Sequence, residues 1–205
     1  MRLDGMQVTV VGAGVAGLAA ALALARRGAA VTVLEQADAI REVGAGLQVS
    51  PNGAAVLRAL GLGPALAAAG LRAEAVQLFD GPTGRPVLRL DLARGEYRFV
   101  HRADLIALLR DGALAAGVGL RLLTRVVGVD LSGPRPSVTD ASGRVHDADL
   151  LVGADGLRSR VHAALNGTVA PFFTHQVAWR TTIPCAPGEA AVAEVHMGPG
   201  RHVVS

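Results

Sequence analysis

The chain has 205 residues, 51% apolar and 18% charged, a composition that can bury a substantial core and excludes a disordered chain. Its formal charge is only +3 and all 20 basic residues are scattered arginines, with 3% aromatics, so a nucleic-acid surface is not expected and lysine chemistry is excluded. Cys185 is the only cysteine and the six histidines show no ligand spacing, so no intramolecular disulfide and no metal site are expected.

Gln7 to Val11 is a short β-branched run bounded by glycine and is expected to form a buried strand. The alanine- and leucine-rich stretch from Val15 to Arg27 predicts a helix, with Gly28 where a stop belongs. "AVTVLE" at 30 to 35 predicts a second buried strand, and the three together make a βαβ unit with parallel strands. Arg2 before this apolar stretch superficially resembles a secretory leader. Three glycines split it and a strand follows at once, so a cytoplasmic globular domain without a membrane span is expected.

A glycine-punctuated loop comes next, then Ser50 and Pro51 in the cap and first-turn positions of a helix ending near Gly61. "AVQLFD", "RPVLRLDL" and "EYRFV" alternate apolar with polar residues and predict antiparallel strands between about 73 and 100. A helix is expected over "RADLIALLRDGALAAG", then strands in "GLRLLTRVVGVDLS", a hairpin turn at "ASGR" and a strand running into a helix in "DADLLVGADGLRSRVHAAL". Beyond about residue 170, "VAWRTTIP" and "EVHMGPGRHVVS" suggest a new sheet.

The βαβ unit carries G-x-G-x-x-G as Gly12, Gly14 and Gly17. Such a triplet can serve close packing alone. Here it lies between two predicted strands, and Glu35 follows Gly17 by 18 residues at the end of the second, where a carboxylate can accept from both hydroxyls of an adenosine ribose. A dinucleotide is therefore expected, and the triplet leaves open whether it is FAD or NAD.

Three further stretches, "REVGAGLQVSPN" at 41 to 52, "HRADL" at 101 to 105 and "GADGLRSRV" at 153 to 161, make the chain similar to the flavoprotein aromatic hydroxylases, in the same order and spacing. The resemblance implies an α/β fold: a Rossmann-like FAD-binding domain over 1–170, its parallel sheet joined by antiparallel strands, with a mostly β substrate domain beginning at 171–205. It implies that Arg102 contacts the FAD pyrophosphate side, that Gln48 faces the cofactor, that the main chain near Val126 meets the adenine, and that Asp155 and Gly156 hold FAD and admit the nicotinamide. Gln36 and Arg41 are counted with these cofactor-binding residues. A capping role for Asp155 and a solvated helix start for Arg102 are the plainer alternatives.

The chain has His162 where the family's D-G motif usually closes with arginine, exchanging a fixed cation for a titrating ring. "VAWRTTIP" is similar to the first strand of the substrate domain in the salicylate-hydroxylase branch. "GRHVVS" is similar to the strand whose histidine faces the substrate pocket in some members, which makes His202 the candidate catalytic residue, positioning or deprotonating a ring hydroxyl, with a histidine on a sheet edge as the plainer alternative. The family's second FAD signature has no counterpart, so the chain is expected to cover the amino-terminal half of such an enzyme and to be poorly active alone. The activity implied is NADH- or NADPH-driven, O2-dependent hydroxylation of a small aromatic acid. A quinone-pathway hydroxylase or other FAD oxidoreductase and a non-catalytic flavin- or nucleotide-binding remnant are the alternatives, and a homodimer is left open.

Overall fold

A computed structural model of the chain describes residues 2–40, 46–184 and 188–205. In chain order come β1 (Gln7–Val11), α1 (Val15–Ala25), β2 (Ala30–Leu34), β3 (Gly46–Val49), α2 (Pro51–Ala59), α3 (Gly63–Ala69) and β4 (Gly70–Arg72). β5 (Ala75–Asp80), β6 (Pro86–Asp91) and β7 (Arg98–His101) lead to α4 (Arg102–Ala115), β8 (Gly119–Arg121) and β9 (Val126–Asp130). β10 (Ser137–Asp140), β11 (Val145–Asp147), β12 (Leu150–Gly153), α5 (Arg160–Asn166), β13 (Val192–Gly198) and β14 (Arg201–Val204) complete the chain. They divide between two units, residues 1–42 with 105–179 and residues 43–104 with 180–205.

The first unit is built on a parallel sheet in the order β12-β1-β2-β8. Val8, Thr9, Val10 and Val11 are all buried, as expected of a central parallel strand covered on both faces. Chain order reverses at β1, which has β2 on one side and β12 on the other. Beside this sheet lies an antiparallel one in the order β11-β10-β9, with the expected turn at 141–144. Val11, Leu34, Val126, Val138 and Val161 pack into one buried cluster, tying β1 and β2 to β9, β10 and α5. α1 closes at Ala25, and Gly28 completes the turn into β2 at φ +97, a conformation other residues adopt with strain.

The second unit holds two sheets, β14-β13-β5-β6 and β3-β7-β4. β5 and β6 form the expected antiparallel pair. "EYRFV" does not join them: β7 pairs antiparallel with β3 and β4. β13 does not found a new sheet either, since it runs parallel beside β5 from Val192↔Ala75 to Met197↔Asp80. Residues 177–184, expected as a strand, form none, because no described segment supplies them with a ladder partner, and Trp179 is 93% exposed. Ser50 is the N-cap of α2 by position, but its hydroxyl donates to the Asn52 side chain and caps no amide. α3, whose Pro64 stands in the first turn of an alanine-rich run, is a short helix additional to the expected elements.

Candidate dinucleotide site

The three glycines of the first turn do different things. Gly12 has φ +101, and a Cβ on it would fall 2.3 Å from the Ala154 carbonyl oxygen, so only glycine lets β1 turn this close to the segment after β12. A Cβ on Gly17 would lie 1.9 Å from the Gly12 carbonyl oxygen, which fixes α1 directly against the turn. Gly14 serves neither purpose. Its φ of −74 suits any residue and a Cβ there would meet nothing within 4 Å. What glycine secures at this position is open space in front of α1, whose N-terminus carries no side-chain cap. Orphan amides facing such a space suit the oxygens of a diphosphate.

Glu35 is tied to that turn by a contact with no sequence signature. Its Oε2 accepts from the Ala13 amide at 2.7 Å and its Oε1 from the Ala37 amide at 2.9 Å. The backbone beneath is fixed as well, since the Glu35 amide donates to the Arg121 carbonyl at 2.9 Å and the Thr124 amide to the Glu35 carbonyl at 2.8 Å. Each carboxylate oxygen keeps a second acceptor position, so a ribose diol still finds partners here. Gln36 is exposed beside it. The Val126 side chain belongs to the buried cluster, which leaves its main chain as the part a ligand could meet.

Asp155 follows β12 as Gly12 follows β1 and Glu35 follows β2, so all three stand at the carboxyl edge of the parallel sheet, the edge where such sheets bind ligands. Its carboxylate is engaged in capping: the Ser159 hydroxyl donates to Oδ1 and the Arg160 amide to Oδ2 at 2.7 Å. Ser159 in turn accepts from the His162 amide at 2.9 Å. The helix-capping alternative for Asp155 is thus realised, and Ser159, a hydroxyl residue just before α5, was its legible signal. Gly156, at φ +79 with no atom within 4 Å of a Cβ, presents bare main chain. His162 is exposed.

The remaining sequence candidates belong to the second unit or lie outside the described residues. Gln48 is exposed on β3, its Oε1 accepting from the Tyr97 hydroxyl at 2.8 Å, a partner the sequence did not disclose. Arg102 is half-buried at the first position of α4. His202 is exposed on β14 opposite Met197. Arg41 lies outside the described residues.

A parallel sheet with its chain reversal at a glycine turn, an uncapped helix and an acid on the next strand defines a Rossmann-type dinucleotide-binding protein. The open space at Gly14 and the acceptors on Glu35 fit the diphosphate and ribose of such a ligand. Residues 5–190 match the family described as FAD binding domain, and the chain belongs to it. It is 37% identical to 3-amino-4-hydroxybenzoate 2-monooxygenase of Streptomyces cremeus over 97% of this chain and 52% of that protein. It is 33% identical to 3-hydroxybenzoate 6-hydroxylase of Klebsiella oxytoca over 88% of this chain and 47% of that one. The solved tetrameric form of 2-methyl-3-hydroxypyridine-5-carboxylic acid oxygenase superposes with a TM-score of 0.73 at 30% identity, over 79% of this chain and 42% of that one. The chain therefore spans about half the length of the relatives it matches, and these relatives agree with the similarity to aromatic hydroxylases read from its motifs.

Proposed function

We propose that this chain is the FAD-holding part of a monooxygenase that hydroxylates a small aromatic acid. The overall change is ArH + NAD(P)H + H⁺ + O2 → ArOH + NAD(P)⁺ + H2O, with the hydride donor supplying two of the four electrons that dioxygen takes up and the ring the other two. FAD, when bound, supplies the redox chemistry between nicotinamide, dioxygen and the ring. The protein's part is to grip, orient and keep water out. The observation that carries the reading is Gly14: a glycine required neither by φ nor by packing, standing before an uncapped helix and next to the Ala13 amide that orients Glu35.

In this reading the α1 amides take the diphosphate, Glu35 the adenosine ribose and the Val126 main chain the adenine. Gly156 offers main chain near the nicotinamide's entry, and Gln48, Gln36, Arg41 and Arg102 support the cofactor. Residues 1–170 carry the cofactor and 171–205 begin the substrate side. His202 would hold or accept the proton of a ring hydroxyl. Its register places it on the same sheet face as Val195 and Val204, an apolar surface suited to an aromatic ring. Among the described residues no helix is long and apolar enough to cross a membrane, and we infer a cytoplasmic enzyme. Self-association is supported by the tetrameric oxygenase, with a homodimer as the smallest unit.

The test is reconstitution. The purified chain mixed with FAD should carry a flavin absorption band through gel filtration, and Gly14→Val should abolish retention while leaving the circular dichroism spectrum intact. Binding of NAD⁺ with no retention of FAD would overturn the reading. Consumption of NADH or NADPH and O2, stimulated by hydroxybenzoates, tests the reaction itself.

A further inference from the structure

The row of residues at the carboxyl edge of the parallel sheet has a fourth member, to which the proposed function assigns no cofactor contact. Arg121 ends β8, which lies on the far side of β2 from β1. With Arg144, from the turn between β10 and β11, it lines a pocket of about 240 Å³ completed by Leu123, Thr124, Ser142 and His146. That volume is well above the roughly 10–15 Å³ that a single water molecule needs on the same measure. Neither guanidinium has an ion-pair partner among the described residues, and both residues are exposed.

The one carboxylate in the pocket, Asp140, is already spoken for. Its Oδ1 accepts from the Ser142 amide at 2.9 Å, the Ser142 hydroxyl at 2.6 Å and the Arg144 amide at 3.1 Å, and its Oδ2 is 2.8 Å from His146 Nε2. Those bonds keep the carboxylate within its own hairpin, so it does not bridge to either guanidinium. The Thr124 hydroxyl is likewise committed, donating to the Leu122 carbonyl. Two arginines carried by separate elements line one concavity, and although Asp140 keeps its negative charge there, its oxygens are occupied by its own hairpin, which leaves both guanidinium forks open to an anion with several oxygens.

We propose that this pocket binds a phosphate-type dianion through Arg121 and Arg144. Thr124 and Leu123 hang the pocket wall on the Glu35 segment, through Thr124 N to Glu35 O at 2.8 Å and Leu123 N to Ala37 O at 3.0 Å, so an occupant sits next to the strand end that carries the ribose acid. Free phosphate and the 2'-phosphate of a nucleotide share this chemistry. The inference does not depend on flavin, since neither arginine is among the residues assigned to that site.

The experiment is an NMR titration of the ¹⁵N-labelled chain with inorganic phosphate at constant ionic strength, following the Ser142 and Arg144 amides and the arginine Nε signals. Saturable shifts confined to this pocket are expected, with a dissociation constant raised about tenfold in Arg121→Gln and in Arg144→Gln. Arg89→Gln, a charge-matched change on the exposed strand β6, should leave it unaltered. The remaining dispersed spectrum reports that each variant is folded. Shifts that never saturate, or equal weakening in all three variants, would overturn the proposal by showing only diffuse screening. NADP⁺ displacing phosphate where NAD⁺ does not identifies the nucleotide as the source; displacement by neither identifies free phosphate.

Discussion

A Cβ placed on Gly17 would stand 1.9 Å from the carbonyl oxygen of Gly12, whereas one on Gly14, in the same turn, would touch nothing within 4 Å. The two positions should therefore fail in different ways. Gly17→Ala forces α1 away from the turn, and overpacking of this kind costs about 1–3 kcal/mol, so it should lower the urea midpoint and flavin retention together. Gly14→Ala should cost only about 1 kcal/mol of stability, the usual penalty for alanine at an N-cap, yet weaken FAD binding by at least about tenfold because its methyl enters the space in front of the helix. Parallel denaturation and flavin-binding curves for the two variants check this. A Gly14→Ala protein that binds FAD normally would remove that space from the cofactor's path.

Glu35 has a structural duty beside its proposed ribose contact. In Glu35→Gln one of the two amide-accepting oxygens becomes an NH2 group, setting a donor against either the Ala13 or the Ala37 amide. A partly buried donor left unsatisfied costs about 1–3 kcal/mol. The variant should lose stability without any ligand present, and Glu35→Ala should do the same. Chemical denaturation of the ligand-free proteins measures it, and an unchanged midpoint in both variants would show that the 2.7 Å contact contributes nothing.

What could be read beforehand was local. β1, α1 and β2 follow from a β-branched run, glycine spacing and alanine-rich helix propensity, all within thirty residues, and Glu35 follows from its distance to Gly17. The Asp140 hairpin was legible for the same reason, as a Ser-Gly turn between alternating strands. Pairings between distant segments were not. β7 alternates like β5 and β6, and nothing in that alternation states that its ladder partners are β3 and β4. β13 lies beside β5 although more than a hundred residues separate Ala75 from Val192, and register across such a gap is set by the assembled sheet. Residues 177–184 have the pattern of a strand without a partner, which is why pattern alone misled. Within the site, the Ala13 amide on Glu35 has no sequence signature because main-chain donors look alike in every sequence.

Acid should loosen the β9–β10–β11 sheet before the rest. Hydrogen bonds from the Ser142 hydroxyl and His146, aided by the Ser142 and Arg144 amides, hold the Asp140 carboxyl well below its ordinary value of 3.8. The folded state therefore binds this proton less readily than the unfolded chain does. The stabilisation is complete above the ordinary carboxylate range and is withdrawn as pH falls below it. Asp130, lowered by the Ser132 amide and hydroxyl, acts in the same direction. The stability gap between the wild type and Asp140→Asn should be largest at pH 7 and narrow toward pH 3. A gap independent of pH would mean that the carboxylate's charge is not what holds the hairpin.

Leu123 sits at φ +52 with its side chain 76% exposed. A left-handed backbone costs a residue with a Cβ about 1–2 kcal/mol, and the exposed side chain recovers little of that through burial. Glycine removes the strain at an unfolded-state entropy cost of about 0.5–1 kcal/mol. Leu123→Gly should accordingly be neutral to stabilising by up to about 1 kcal/mol, where most leucine-to-glycine changes destabilise. Because the Leu123 amide also donates to Ala37 beside Glu35, at 3.0 Å, the same variant reports on the wall of the arginine pocket. If the strain serves to shape that wall, the glycine variant should gain thermal stability and at the same time bind phosphate more weakly than the wild type. A loss of stability would show instead that the leucine side chain makes contacts worth more than the backbone strain it imposes.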